Sequence, residues 1–173
     1  EAEVEAAGDP AEKNRLKLRQ GAIREREFGD FAGAIAVYGE VVQSAPDNDE
    51  AVAALEAMLV RDQFVPDLVE ILTTVYDVRE ERHKTSRLFE ARLRVAGDDA
   101  ERVQLLRDLA RHQEQVLGDP GTAFDALGQA FQIAPDEGAL VEELERLADE
   151  LGSWAALVEV AQGVLDAGGR APA

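Results

Sequence analysis

The sequence predicts an all-α protein, an α-solenoid in which about nine helices pair antiparallel with their neighbours. Three observations lead to this prediction. The 173 residues are 46% hydrophobic but include only one Trp, two Tyr and six Phe. The core must therefore be built mainly from Leu, Ala, Val and Ile, which favours helices over sheets. Gly-Asp pairs recur at regular positions, and the sequence matches itself at a shift of 89 residues. Together these observations predict helices and no strand.

The Gly-Asp pairs mark helix boundaries. Gly can adopt the left-handed conformation that ends one helix, and the following Asp can accept hydrogen bonds from the N–H groups that open the next. Pro10 and Pro120 then occupy the first helical position, where the missing N–H of proline costs nothing. The other boundaries are stops at Pro46 and Pro135, caps at Asp47 and Asp136, and apolar starts at Phe64 and Trp154. The predicted helices span 10–28, 31–45, 48–62, 65–78, 81–96, 99–117, 120–134, 137–151 and 154–167.

The chain carries a long repeat with a shorter one inside it. At the shift of 89 residues, Glu1 pairs with Glu90 and Asp77 with Asp166, and roughly one third of the paired residues are identical. A shift of 34 residues brings the apolar positions of 31–42 onto those of 65–76. These positions recur at helical spacing, so each set forms one buried stripe. We therefore predict super-repeats at 1–89 and 90–167, followed by a flexible tail at 168–173.

The second helix of each pair carries a signature. The first copy consists of Gly29, Asp30, Phe31, Ala34, Tyr38, Val41 and Pro46, and the second of Gly118, Asp119, Pro120, Ala123, Leu127, Ala130 and Pro135. In these residues the sequence resembles the tetratricopeptide repeat (TPR) family, whose helix pairs also repeat every 34 residues. The second copy lacks the aromatic residues of the family pattern. The first helices match less well, because Glu25 occupies the usual Tyr position.

The resemblance implies a divergent TPR-like superhelix over nearly the whole chain, similar in style to long bacterial arrays. Stacked helix pairs bury a continuous core and leave a concave groove, which in this family is formed mostly by the first helices. The family therefore implies a non-catalytic scaffold that binds a protein or peptide. Because the sequence begins at Glu1 rather than Met, we expect a fragment of a longer array.

Composition and motifs exclude several other classes. A formal charge of −18 disfavours nucleic acid and anionic membranes as partners. No stretch approaches the length of a membrane-spanning helix, so we expect no membrane insertion and a soluble protein, with the cytoplasm favoured over the periplasm or the cell exterior. The absence of Cys removes disulfides and thiolate metal sites, and no nucleotide-binding or hydrolase motif is present. His83 and His112 lie far apart in sequence, so we predict no catalytic site, cofactor or metal.

Candidate binding residues come from the charge pattern. Residues 13–29 contain six basic and two acidic residues, whereas residues 113–173 carry a net charge of −10. One interpretation is that the basic side chains only offset neighbouring acidic helices. Another is a groove for a basic or mixed-charge partner. For that groove we predict contacts from Asn14, Lys17, Arg24, Gln104 and Arg111. The alternative function is a structural subunit that self-associates end to end into an oligomer or filament.

Three packing expectations follow from the helical pattern. The aromatic residues other than Phe28, Trp154 included, lie on the apolar stripes of their helices and should be buried. The first helix has apolar residues on both sides of its basic stripes, so it should lie between two neighbours. Gly39 and Gly128, which are equivalent in the repeat, should allow close approach of a neighbouring helix backbone.

Overall fold

The computed structural model describes residues 9–168, and these form nine α-helices and no strand. We number the helices α1 to α9 in chain order. Two short 3₁₀ turns, Asp62–Phe64 and Arg82–Lys84, precede α4 and α5, and a π-helical turn, Gln113–Leu117, extends α6. The predicted all-α fold of antiparallel helix pairs is confirmed. The helices are α1 Pro10–Phe28, α2 Phe31–Ser44, α3 Asp49–Met58, α4 Val65–Val78, α5 Thr85–Val95, α6 Asp99–His112, α7 Pro120–Ile133, α8 Gly138–Leu151 and α9 Trp154–Gly168.

The Gly-Asp boundaries are as predicted where the structure describes them. Gly29 and Gly118 adopt φ values of 62° and 67° after α1 and α6. Asp30 and Asp119 then accept hydrogen bonds from backbone N–H groups in the first turns of α2 and α7. Two predicted caps are wrong by one residue. Asn48 rather than Asp47 caps α3, and Glu137 rather than Asp136 precedes α8 without a side-chain cap.

The chain divides into two compact units between Ala91 and Arg92, within α5. In unit 1, α2 packs against α1, α3 and α4, and α3 packs against α4. In unit 2, α7 packs against α6, α8 and α9, and α8 packs against α9. The super-repeats 1–89 and 90–167 stay predictions, as does the tail 168–173, of which all but Gly168 lies outside the described residues.

The core of each unit uses equivalent positions. Ala34 and Leu55 of unit 1 are fully buried, and so are Ala123 and Leu144, which follow them by 89 residues in unit 2. Gly39 faces the side chain of Ile71: a Cβ atom placed on Gly39 would lie 3.2 Å from the Ile71 Cδ1. Gly128 faces Val160 in the same way, at 3.4 Å. The expected approach of a helix backbone is wrong, because a branched side chain occupies the space that each glycine leaves.

The burial expected for Trp154 is also wrong, and the two neighbours expected for the first helix are not both present within the described residues. Trp154 is 49% exposed, because it lies at the first residue of α9 on a side that no described residue covers. Within the described residues, α1 packs mainly on α2, so only one of its faces is covered. Ile23 on the other face is 40% exposed, and Phe28 at the helix end is 76% exposed.

Candidate protein-binding groove

Three of the five predicted binding residues lie on the side of α1 that meets α2. Lys17 Nζ lies 2.7 Å from a carboxylate oxygen of Glu40. The Ser44 hydroxyl donates a hydrogen bond of 3.1 Å to the Asn14 side-chain oxygen. Arg24 pairs with Asp30 at 2.7 Å. All three residues therefore tie α1 to α2 or to its N-cap, as the charge-offset interpretation expects.

The Arg24–Asp30 pair occupies a site that only a glycine leaves open. Asp30 accepts a hydrogen bond from the Gly33 N–H and another from the Arg24 guanidinium, and these bonds hold the pKa of the carboxyl below its usual value. A Cβ at position 33 would lie 2.4 Å from the Arg24 guanidinium. Arg24 is consequently held at the start of α2.

The other two predicted residues, Gln104 and Arg111, meet on one carboxylate of α6. The Gln104 amide donates to Asp108 at 3.0 Å, and the Arg111 guanidinium donates to the same oxygen at 2.8 Å. Both side chains are exposed, so they remain accessible at the surface. The structure thus places the five residues in two groups, one in each unit, and their role in binding stays a prediction.

A surface that the sequence analysis missed lies between the second helices of unit 1. Residues of α2 and α4, together with Pro46, enclose a groove of about 480 Å³. Its apolar lining comes from aliphatic side chains and from Gly39, against which the Ile71 side chain packs. The lining residues are Ala36, Gly39, Glu40, Val42, Gln43, Pro46, Glu70, Ile71, Thr74, Val75 and Val78. Val78, one of the lining residues, is 62% exposed.

Two carboxylates stand at the rim of this α2–α4 groove. Glu40 on α2 is exposed and pairs with Lys17, so one predicted binding residue is adjacent to the rim. Glu70 on α4 is exposed and forms no ion pair with any described residue. A sequence signal for the groove existed in Gly39 and Ala36, which leave small positions on one side of α2. The family resemblance instead predicted a groove formed mostly by the first helices.

A polar network fixes α4 to α3 behind the groove. The fully buried Tyr76 donates a hydrogen bond of 2.9 Å to Glu56, and burial together with this bond raises the pKa of the phenol. Lys84 lies 3.2 Å from the same carboxylate and 2.9 Å from Glu81. The Lys84 ammonium holds the pKa of Glu81 below its usual value. These contacts join α4 and the turn that follows it to α3.

No group of three or more His, Asp or Glu side chains in residues 9–168 could hold a metal ion. No described helix combines the length and the apolar character that crossing a membrane requires.

Comparison with known proteins gives only distant likenesses. No protein-family model matches the chain, and no curated protein does. Two solved structures of MamA are similar, each with 17% identity and a TM-score of 0.41. One likeness covers 83% of this chain and 91% of that MamA chain, and the other covers 90% and 92%. A likeness of this size shows neither a family nor a function. The tetratricopeptide assignment stays a prediction, and the fold rests on the helices themselves.

Proposed function

We propose that this chain is a non-catalytic protein-binding module whose α2–α4 groove takes an apolar segment of a partner protein that is flanked by basic residues. The observation that carries the proposal is the combination of an aliphatic floor with carboxylates at the rim on one exposed surface. Grooves of this kind take the apolar face of a helix or a short extended segment. A volume of about 480 Å³ is within the range of ligand-binding clefts.

The aliphatic lining of the groove supplies the favourable free energy of binding. Burial of aliphatic surface stabilises a complex by roughly 25 cal/mol per Å², so a few apolar side chains on Ile71 and Val78 would anchor a partner. Because α4 is fixed by the Tyr76–Glu56 hydrogen bond, its wall does not need to be ordered on binding. A preformed wall therefore lowers the conformational entropy that is lost on binding.

The rim gives the expected charge of the partner. The Glu40 charge is already compensated by Lys17, whereas Glu70 can accept a charged hydrogen bond from an incoming Lys or Arg. Residues 30–78 contain ten acidic residues and one basic residue, so the field around the groove attracts cations. The partner segment is accordingly expected to be apolar and basic, and its binding should weaken as salt screens the attraction.

Calorimetry with synthetic peptides tests this proposal. The probe is an amphipathic peptide with Leu at helical spacing and Lys at both ends, and its control carries the same Leu residues with Glu at the ends. The Lys peptide is expected to bind about tenfold more tightly at low salt, a difference of about 1.4 kcal/mol. Failure of both peptides to bind, or equal affinity for the two, would contradict the proposal.

Two matched variants locate the binding surface. Ala36→Arg puts a bulky cation into the groove and should abolish binding, whereas Ala57→Arg, at an exposed Ala on α3, should leave binding unchanged. Unaltered binding by A36R would exclude the groove.

Substitution of Lys17 separates the groove from the predicted first-helix site. In the groove proposal, Lys17→Glu leaves Glu40 without its partner and should strengthen binding of the Lys peptide. If Lys17 contacts a mixed-charge partner directly, the same change weakens binding. The sign of the effect therefore distinguishes the two.

A further inference from the structure

Helix α9 carries an exposed apolar stripe next to the core of unit 2. The stripe consists of Trp154, Val158, Ala161 and Leu165, which are spaced so that they share one side of the helix. Trp154 is 49% exposed, Val158 67% and Leu165 68%. Leu157 and Val160 on the adjacent side pack against the core. The α9 stripe is therefore continuous with the core; Trp154, Val158 and Leu165 are largely exposed among the described residues, and Ala161 is half-buried.

The equivalent stripe on α4 of unit 1 is mostly buried by neighbouring parts of the chain. Its members Val65, Leu72 and Tyr76 are fully buried, whereas Val69, the equivalent of Val158, is half-buried. The turn that follows α4 supplies part of the cover, since the Lys84 ammonium lies 5.5 Å from the centroid of the Tyr76 ring. A stripe at this position of the helix pair is thus a packing surface, and in α9 its cover comes from elsewhere.

Charge restricts what can cover the α9 stripe. The acidic side chains Glu159 and Asp166 are exposed along one edge of it, and Asp149 and Glu150 are exposed on α8. Pairing two α9 stripes across a twofold axis would bring these acidic edges together and is disfavoured by like-charge repulsion. The cover must combine an apolar centre with basic flanks.

Helix α1 has this combination on its uncovered face. Ile23, 40% exposed, and the half-buried Leu16 share that face, and Arg15, Arg19 and Arg26 are exposed along one edge of it. Two exposed carboxylates, Glu12 and Glu27, lie at the two ends of the same face, one turn before Leu16 and one turn after Ile23. The residue of α6 equivalent to Leu16 is Leu105, which is only 2% exposed. This face of α1 is therefore also a packing surface without its cover among the described residues.

We propose that α1 of a second copy of this chain covers the α9 stripe, with Ile23 on Val158 and Leu165, and with Arg19 and Arg26 near Glu159 and Asp166. The contact joins two different surfaces, so it is heterologous: each pair of copies keeps one α1 face and one α9 stripe open to further copies. It uses no residue of the α2–α4 groove and is independent of the function proposed above.

Sedimentation or light scattering of the full chain at several concentrations and salt levels tests the contact. The weight-average mass should rise above the 18.8 kDa of the monomer as concentration increases, and should fall back toward it at high salt. A mass of one monomer at low salt and at the highest attainable concentration would overturn the proposal.

A mixture of blocked variants identifies the surfaces. Leu165→Glu removes the α9 stripe and Ile23→Glu removes the α1 face, so each variant alone should be monomeric, with its affinity weakened about tenfold or more. Mixed together, they should form a one-to-one dimer through the two surfaces that remain. Val60→Glu, at a Val that is 75% exposed outside both surfaces, is the control and should assemble as the wild type does.

Two other outcomes would contradict the α1–α9 contact. Dimerisation of I23E alone would show that α9 pairs with itself, and a monomeric mixture of the two variants would show that α1 and α9 do not meet. Circular dichroism confirms that each variant is folded. Ala36→Arg should leave assembly unchanged, so failure of the groove proposal and failure of this one remain distinguishable.

Discussion

The first two helices of unit 1 and of unit 2 occupy equivalent positions but are held together by different chemistry. In unit 1, Lys17 and Asn14 on α1 bond to polar side chains of α2. Their equivalents on α6 are Leu106 and Val103, which are 3% and 5% exposed and belong to the core with α7. The same helix stacking thus tolerates a polar or an apolar contact at these positions. What the two units share is the small and apolar set exemplified by Ala34 and Ala123.

The helices α4 of unit 1 and α9 of unit 2, which are equivalent in the repeat, also differ in what surrounds them. In α4 three of the four stripe residues are fully buried and a polar network joins the helix to α3, whereas in α9 three of the four equivalent residues are exposed. Unit 2 has its own cross-link instead, a two-pronged pair from Arg146 to Glu114 at 2.7 and 2.8 Å. Equivalent helices therefore have different neighbours in the two units and present different surfaces.

The largest expected effect tests the shared core. Leu55→Ala and Leu144→Ala each remove a fully buried side chain at equivalent positions, and each should lower the free energy of unfolding by about 3 kcal/mol. Denaturant titration of both variants measures the effect. A cost near zero for one of them would show that the two units do not use equivalent cores.

A smaller, stabilising change is expected at the end of α4. Glu80 adopts a φ of 56°, and the Glu81 N–H then bonds to the Tyr76 carbonyl at 2.9 Å. Gly29, Gly118 and Gly152 hold the same conformation after α1, α6 and α8 without a side-chain penalty. Glu80→Gly should therefore raise the unfolding free energy by about 0.5–1 kcal/mol.

The matched control for this change is an exposed Glu inside a helix. Glu90→Gly on α5 should lower stability by about 0.5–1 kcal/mol, because glycine there only adds conformational entropy to the unfolded chain. Two destabilising results would show that the left-handed residue after α4 is not strained. Thermal denaturation followed by circular dichroism is sufficient for both variants.

The smallest effect concerns the two Asp caps that open α2 and α7. Asp30 is stabilised as an anion by the Gly33 N–H and Arg24, and Asp119 by the hydroxyl and N–H of Thr122, so the pKa of each is below the usual 3.8. A folded-state pKa lowered in this way contributes stability above the unfolded pKa. That contribution is lost as the pH falls through the folded value.

Carboxyl titration by NMR checks this pair of sites. Arg24→Gln should raise the pKa of Asp30 and leave that of Asp119 unchanged, and Thr122→Ala should do the reverse. A shift at both sites in either variant would mean that the caps do not act locally.

Sequence reasoning predicted the parts of the fold that local chemistry determines. The left-handed Gly29 and Gly118 and the Asp caps that follow them could be read directly, because each needs only its own neighbours. Whether Asp47 or Asn48 capped α3 could not be decided, since both side chains are suitable acceptors one residue apart. The exposure of Trp154 was missed because burial depends on a covering element rather than on helical spacing.

The candidate groove lay beyond sequence reasoning for a related reason. Gly39 and Ala36 indicated small positions, but the groove also needs residues of α4, among them Ile71 packed against Gly39, and this contact joins positions far apart in the sequence. The predicted residues Asn14, Lys17 and Arg24 were identified by charge, and charge alone does not distinguish a side chain paired within the fold from one that is available to a partner.

Methyl NMR of the full chain during titration with the Lys-flanked peptide tests the central claim most directly, because unit 2 provides an internal control. The methyl signals of Ile71 and Val75 in the α2–α4 groove should shift in proportion to occupancy, while those of the equivalent Val160 and Val164 should not move. Equal shifts in both pairs, or shifts confined to α1 and α6, would contradict the account.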